Sequence, residues 1–275
     1  MKELFLAYGT LSHLPLDLNY PLILTGTNTT ENRRKDLRSV AKRFLVDVGV
    51  DTKGEKGPQE IAKIQVSSKV DIASSPDVFG NTEMTVERAI YWNNMLDDLD
   101  YKDERIFVLQ SDDRSTDRYL ECLESHKENN SVEYVGIGGL IKDNEGKNRP
   151  LKENMALLSE LIPQINEKIH IFGAGLGITS KGILEDLKWQ SLDSATSLFA
   201  AREHKIFDNN LKRQELNIEI PRGKNSGIYV KMLAIANHNI ASLVLNKKNS
   251  ESIELEKIRV ITQILTYSKE GKLIV

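Results

Sequence analysis

Three aspartates in this chain have the setting for chemistry, because each follows a short apolar run. Asp47 ends FLVD, Asp77 follows DIASSP, and Asp193 ends WQSLD. Residues 168–207 read as strand, glycine turn, helix and a second strand that ends on Asp193. The C-terminal tip of a parallel strand is where an α/β enzyme can keep a nucleophile. Carboxylates brought close together repel, so at least one pKa rises and the pair can divide acid and nucleophile roles. Two carboxylates ~5 Å apart are the retaining arrangement at a glycosidic carbon. Asp47 and Asp193 are expected on opposed sides of one mouth, where they can flank a substrate. Each also has a plainer reading. Asp193 can cap a helix beginning near Ser194. Asp47 can be a solvated loop acid beside Gly49, and Asp77 a turn residue after Pro76.

The elements that must position these groups are short. Apolar, β-rich runs fall at 4–8, 22–25, 44–48, 70–73, 106–110, 134–137, 169–172 and 189–192. Several are almost wholly apolar, which suits strands buried on both faces of a parallel sheet. Amphipathic stretches lie between them at 30–43, 81–99, 115–129, 151–162 and 180–187. Two more, 229–245 and 253–267, close the chain. Asn28 or Thr29 is expected to cap the first helix, and Asn81 or Thr82 the second. Eight strands alternating with helices predict a single (β/α)8 TIM-like barrel over residues 1–275, with irregular βα loops and 224–275 as terminal helices packed on it. Residues 9–20 are too few for much of a crossover helix. Residues 51–69, polar and glycine-rich at their start, are expected to form a mobile loop with at most a short helix.

In a barrel every strand end faces one mouth. Thr25, Gly26, Gln110, Ser111, Gly138, Gly139 and Gly173 then join the aspartates there. Asp77 can accept from an amino group and a ring N–H of a purine-sized base, and Gln110 offers both donor and acceptor. The Gly138–Gly139 pair lets a planar ring approach the backbone, with main-chain N–H groups as donors. The plainer reading of that pair is a tight βα turn.

Composition narrows the class. The chain has 275 residues, 28% of them charged, and a formal net charge of −3. A uniformly basic nucleic-acid coat is excluded, whereas a local basic patch is not. Cys122 is the single cysteine, so neither an internal disulfide nor a cysteine-rich zinc site is expected. The N-terminal apolar run is short for a signal peptide, and no run reaches the ~18–20 residues that span a bilayer. A cytoplasmic location is expected, without membrane partners. GAGLG at 173–177 lies too late in the chain for a dinucleotide fingerprint; a barrel phosphate site there is the better expectation. His170, within an apolar strand, reads as a satisfied core histidine. Tyr91 and Trp92 read as helix packing. The basic cluster Arg33, Arg34, Lys35, Arg38, Lys42 and Arg43 reads as a solvated face. A second set, Lys205, Lys212, Arg213, Arg222 and Lys224, follows Asp193 and is the better nucleic-acid candidate.

In order along residues 44–202, these strand ends resemble the tRNA-guanine transglycosylase superfamily. The matching elements are Asp47-Val48-Gly49-Val50, Pro76-Asp77-Val78 with Glu87-Arg88-Ala89 and Trp92, Val108-Leu109-Gln110-Ser111, Tyr134 to Leu140, Gly173-Ala174-Gly175, and Asp193-Ser194 with Arg202 beyond. The likeness is greatest to the short, zinc-less, DNA-acting branch known from phages and bacteria, which inserts 7-deazaguanine bases. The resemblance implies a glycosyltransferase (a pentosyltransferase) in which Asp193 attacks C1′ and expels guanine. Asp47 would handle the proton. Asp77, Gln110, Gly138, Gly139 and Leu140 would hold the base, and Arg202, Lys205 and Arg222 the nucleic acid. It implies DNA and a free 7-deazaguanine base as partners, with no cofactor and no metal. Two departures stand out. The aspartate-serine-glycine-glycine-phenylalanine element is degraded at 47–50. The three cysteines of the tRNA enzymes' zinc site are absent, which favours DNA as the polymer. The alternatives are the same exchange on tRNA and a nucleic-acid-binding barrel without activity. An aldolase-like barrel would want a strand-end Schiff-base lysine or metal ligands, and neither is evident.

Overall fold

A computed structural model describes residues 2–7, 22–48, 56–140, 150–173, 187–194, 196–216, 226–248 and 250–269. Eight parallel strands close into one barrel: β1 (Glu3–Ala7), β2 (Leu22–Gly26), β3 (Arg43–Asp47), β4 (Ile72–Ser74), β5 (Glu104–Leu109), β6 (Tyr134–Ile137), β7 (Lys168–Ile171) and β8 (Ser191–Ser194). Closure is direct, because β1 pairs with β8 in parallel, with Phe5 opposite Asp193. Among the described residues the α-helices are α1 (Glu31–Val40), α2 (Pro58–Ser67), α3 (Thr82–Asp98), α4 (Thr116–Asn129), α5 (Leu151–Leu161), α6 (Thr196–Arg202), α7 (Ser226–Leu245) and α8 (Ser250–Lys269). This is the expected (β/α)8 architecture. α7 packs on β1 and α6, and α8 packs on α7.

Alternation along the strands sorts side chains into a barrel interior and a helix-facing shell. Phe5, Leu24, Leu45, Ile72, Ile106 and Tyr134 form one buried cluster, which Leu22 and Phe172 adjoin. Their strand neighbours Leu6, Phe44, Val46, Ala73 and Phe107 instead pack with residues of α1, α2, α3 and α7. At the N-terminal end, β1, β3, β5 and β7 each open on a charged residue. Arg43 pairs with Glu3 and Glu104, and Lys168 pairs with Glu104 at 2.9 Å. Alternate strands supply this set, as barrel layers require. It closes the end opposite the strand tips.

Several expectations need correcting. β8 runs Ser191–Ser194, not 189–192, so Asp193 lies within the strand. Trp189 lies before it, with the Lys2 ammonium 4.4 Å from its ring centroid. Of residues 51–69, expected as a loop with at most a short helix, the described part from residue 56 forms the ten-residue α2. Pro58 sits in its first turn, where a missing N–H costs nothing. Ile61, Ala62 and Gln65 form its buried stripe. α1 takes neither expected cap: Thr30 occupies the N-cap without a side-chain bond. Thr29 instead pairs its hydroxyl with that of Thr25 at 2.8 Å. Asn81 does cap α3, accepting from the Met84 N–H at 2.9 Å. After α6 comes an unexpected antiparallel pair, β9 (Lys205–Phe207) with β10 (Arg213–Glu215). Residues 9–20 lie outside the described residues, as does the helix expected at 180–187 apart from Leu187.

Candidate active site

The site begins with a bracket behind β3 and β4. Gln65 is fully buried on α2. Its Nε2 donates to the carbonyls of Val46 (2.9 Å) and Ser74 (2.8 Å), and its Oε1 accepts from Trp92 Nε1 at 2.7 Å. The amide thus joins two strand ends to α3. Ser74 Oγ in turn donates to Asp47 Oδ1 at 3.1 Å. Trp92 is helix packing, as expected, but packing that aims the mouth. Replacing Gln65 with leucine would strip the Trp92 indole N–H of its acceptor and two strand carbonyls of a donor, at a cost of roughly 2–3 kcal/mol. Urea melts of Gln65→Leu should report that loss.

The loop after β4 is braced in two places. Ser75 Oγ accepts from the Val108 N–H at 2.9 Å. Thr85 Oγ1 accepts from the Val78 N–H at 2.9 Å. Asp77 is held between these braces, 7% exposed. Gln110 Nε2 donates to Asp77 Oδ2. Burial, then the nearby charge of Asp47, push the Asp77 carboxyl up from 3.8 to about 7; the Gln110 bond and the Arg88 charge pull the other way. The carboxylate coupling expected of this mouth therefore involves Asp77 with Asp47.

Gly138 and Gly139 make room for the Gln110 amide. A Cβ on Gly138 would lie 2.6 Å from Gln110 Nε2, and one on Gly139 3.0 Å from Gln110 Oε1. Gly139 also adopts φ +73°, a region that L side chains rarely enter. The Gly138 amide is not the free donor expected. It donates to the Leu109 carbonyl at 3.1 Å, while Tyr119 donates to the Gly138 carbonyl at 2.9 Å. Leu140 is buried in the core, and its carbonyl accepts from Asn154 Nδ2 at 2.7 Å. The pair thus contributes shape, by seating Gln110 against Asp77.

Asp193 is 8% exposed. Its Oδ1 accepts from the Gly173 N–H at 2.7 Å, and φ +62° at Gly173 turns the chain there. Ahead of α6 it is Ser194 Oγ that accepts from the Thr196 N–H, at 3.0 Å. His170 is no satisfied core histidine. It is fully buried, yet its Nε2 has no hydrogen-bond partner and lies 3.5 Å from Asp193 Oδ1.

The basic sets are largely committed. Arg34 Nε donates to Ser68 Oγ at 2.8 Å, and its Nη1 to the carbonyls of Thr27 and Thr29. Arg38 pairs with Asp71 and Lys35 with Glu31. Lys205 lies between Glu203 and Glu215, and Arg213 pairs with Glu203 at 2.7 Å. Arg202 is exposed at the end of α6. Arg222 and Lys224 lie outside the described residues, as do Gly49, Val50, Gly175 and Gly177. Among the described residues no group of three His, Cys, Asp or Glu could hold a metal ion. None of the described helices is long and apolar enough to cross a membrane.

Fold and site together define an eight-stranded parallel α/β barrel with Asp47 at the end of β3, Asp77 in the loop after β4 and Asp193 near the end of β8. Compared with known proteins, the chain matches no family model and no curated protein.

Proposed function

We propose that the protein exchanges guanine in DNA for a 7-deazaguanine base through a covalent intermediate on Asp193. The observation that carries this reading is a division of labour among carboxylates. Asp77 is buried, raised to about 7 and bonded to Gln110, which suits recognition of an amidine-like base edge. Asp193 has one oxygen fixed by the Gly173 amide, which suits attack by the other. The order of motifs from Asp47 to Arg202 supports the same reading.

In this scheme Asp193 Oδ2 attacks C1′ as the C1′–N9 bond breaks, and the bonding pair leaves with guanine. Asp47, in its protonated form, supplies the proton the departing base needs and is left as the carboxylate. The incoming 7-deazaguanine returns its N9 proton to Asp47, and its N9 displaces Asp193 from C1′. Two inversions restore the anomeric configuration. The target nucleotide must leave its stack to reach these groups.

Incubation with labelled guanine or 7-deazaguanine and duplex DNA, single-stranded DNA or tRNA tests the reading. Label should enter DNA. Entry into tRNA alone would move the activity to the other polymer. Binding without incorporation would make the barrel a recognition module.

A further inference from the structure

We propose that His170 is the positioning residue of Asp193, the last donor in a buried hydrogen-bond chain that starts at Tyr134. The inference rests on the reading of Asp193 as nucleophile. Its basis is a column of side chains through the barrel interior. Register sets His170 beside Gly136 of β6 and Ser191 of β8. Two residues further along β8, on the same face, is Asp193. The Tyr134 hydroxyl meets Ser191 Oγ, Ser191 Oγ meets His170 Nδ1, and His170 Nε2 faces Asp193 Oδ1 at 3.5 Å. Two rings hold the imidazole edge-on: Phe172 at 4.3 Å and Phe5 at 5.9 Å between centroids.

Hydrogen-bond direction follows from counting protons. An ionised carboxylate only accepts. The nitrogen facing Asp193 must therefore carry the proton, which leaves Nδ1 as an acceptor. Ser191 must then donate to Nδ1, and Tyr134 must donate to Ser191. The reverse direction would aim a lone pair at the carboxylate. A contact of 3.5 Å is long for a hydrogen bond, and such contacts in unliganded sites tighten as the reacting complex forms.

The chain moves no proton. When Asp193 Oδ2 bonds to C1′, Oδ1 becomes the ester carbonyl oxygen, keeps the Gly173 N–H and takes His170 Nε2–H as its second donor once the 3.5 Å contact tightens. His170 therefore holds the carboxylate plane through attack and release, and the acid–base work stays with Asp47. Orientation losses of this kind cost on the order of 100-fold in rate.

Two measurements test the proposal. Nitrogen-15 NMR of histidine-labelled protein, with the His170 signals found by comparison with His170→Gln, should show the proton on Nε2 and a bare Nδ1. Ser191→Ala should mix the two tautomers. A proton on Nδ1 in the unaltered protein overturns the chain. In the exchange assay, His170→Phe should lower kcat about 100-fold with the KM for free base within about twofold. His170→Gln, whose amide can still donate, should recover most of that loss. A fully active His170→Phe overturns the proposal, and so does a Gln variant no better than Phe. If the unaltered protein exchanges no base at all, base exchange itself falls, and the NMR result alone then upholds or overturns the chain.

Discussion

Asp193→Asn should abolish base exchange while leaving the barrel folded. The expected loss in kcat is at least ~10⁴-fold, the scale seen when an enzyme loses a member of its reacting group. Asparagine is nearly isosteric, and its carbonyl oxygen can still accept the Gly173 N–H that Asp193 accepts at 2.7 Å. Ser194, not Asp193, accepts the Thr196 N–H ahead of α6, so no helix cap is lost. Thermal melts should therefore stay within about 1 kcal/mol of the unaltered protein. Intact mass spectrometry should find a protein–nucleotide adduct with aspartate at 193 and none with asparagine. Exchange surviving in the variant would remove Asp193 as nucleophile.

Legibility in the sequence followed burial. Strands such as Phe44–Val46 and Ile106–Leu109 face the interior on one side and helices on the other, so their runs are apolar throughout. Two faces of one wetness make a strand easy to see. β8 broke that rule. Its inward positions are Ser191 and Asp193, and that polarity shifted the expected strand onto Trp189 and Leu192. The ten residues of α2 were obscured for a related reason: one of the three buried positions of its stripe is Gln65, a polar residue satisfied by Val46, Ser74 and Trp92. His170 carried a faint signal. It lies two residues before Phe172 and so shares the inward face of β7. What no one-dimensional reading contains is the distance from its ring to a carboxylate on the next strand. Nor does the sequence contain the partner of the Gly138 N–H, which donates to the Leu109 carbonyl across the β5–β6 pair and not to a base.

Asp77→Asn should make the protein more stable above neutrality and poorer at holding its base. Burial and the charge of Asp47 raise this carboxyl from 3.8 to about 7. Between those two values the folded state binds a proton that the unfolded chain has released. Stability therefore falls as pH rises from about 4 to about 7, at about 1.4 kcal/mol per unit, and levels off above. The whole loss approaches roughly 4 kcal/mol. An asparagine carries no charge to desolvate and can still accept from Gln110. Its denaturation profile should lack that descent, so the variant should gain most of those 4 kcal/mol at pH 8 and nothing near pH 4. Urea midpoints across this range check the sign. A variant that follows the same descent would place the titration on another group. Binding should move the opposite way. A base edge that offers an amino group and a ring N–H needs two acceptors, and asparagine turns one of them into a donor. Losing charge-assisted bonds of this kind costs about 3 kcal/mol, or about 100-fold in affinity. In the unaltered protein, calorimetry should find base affinity falling about tenfold per unit as pH drops below 7, since the ionised carboxylate is the binding form. A carboxylate that costs the fold stability at working pH, and that only a bound base would repay, is the expected mark of a recognition residue.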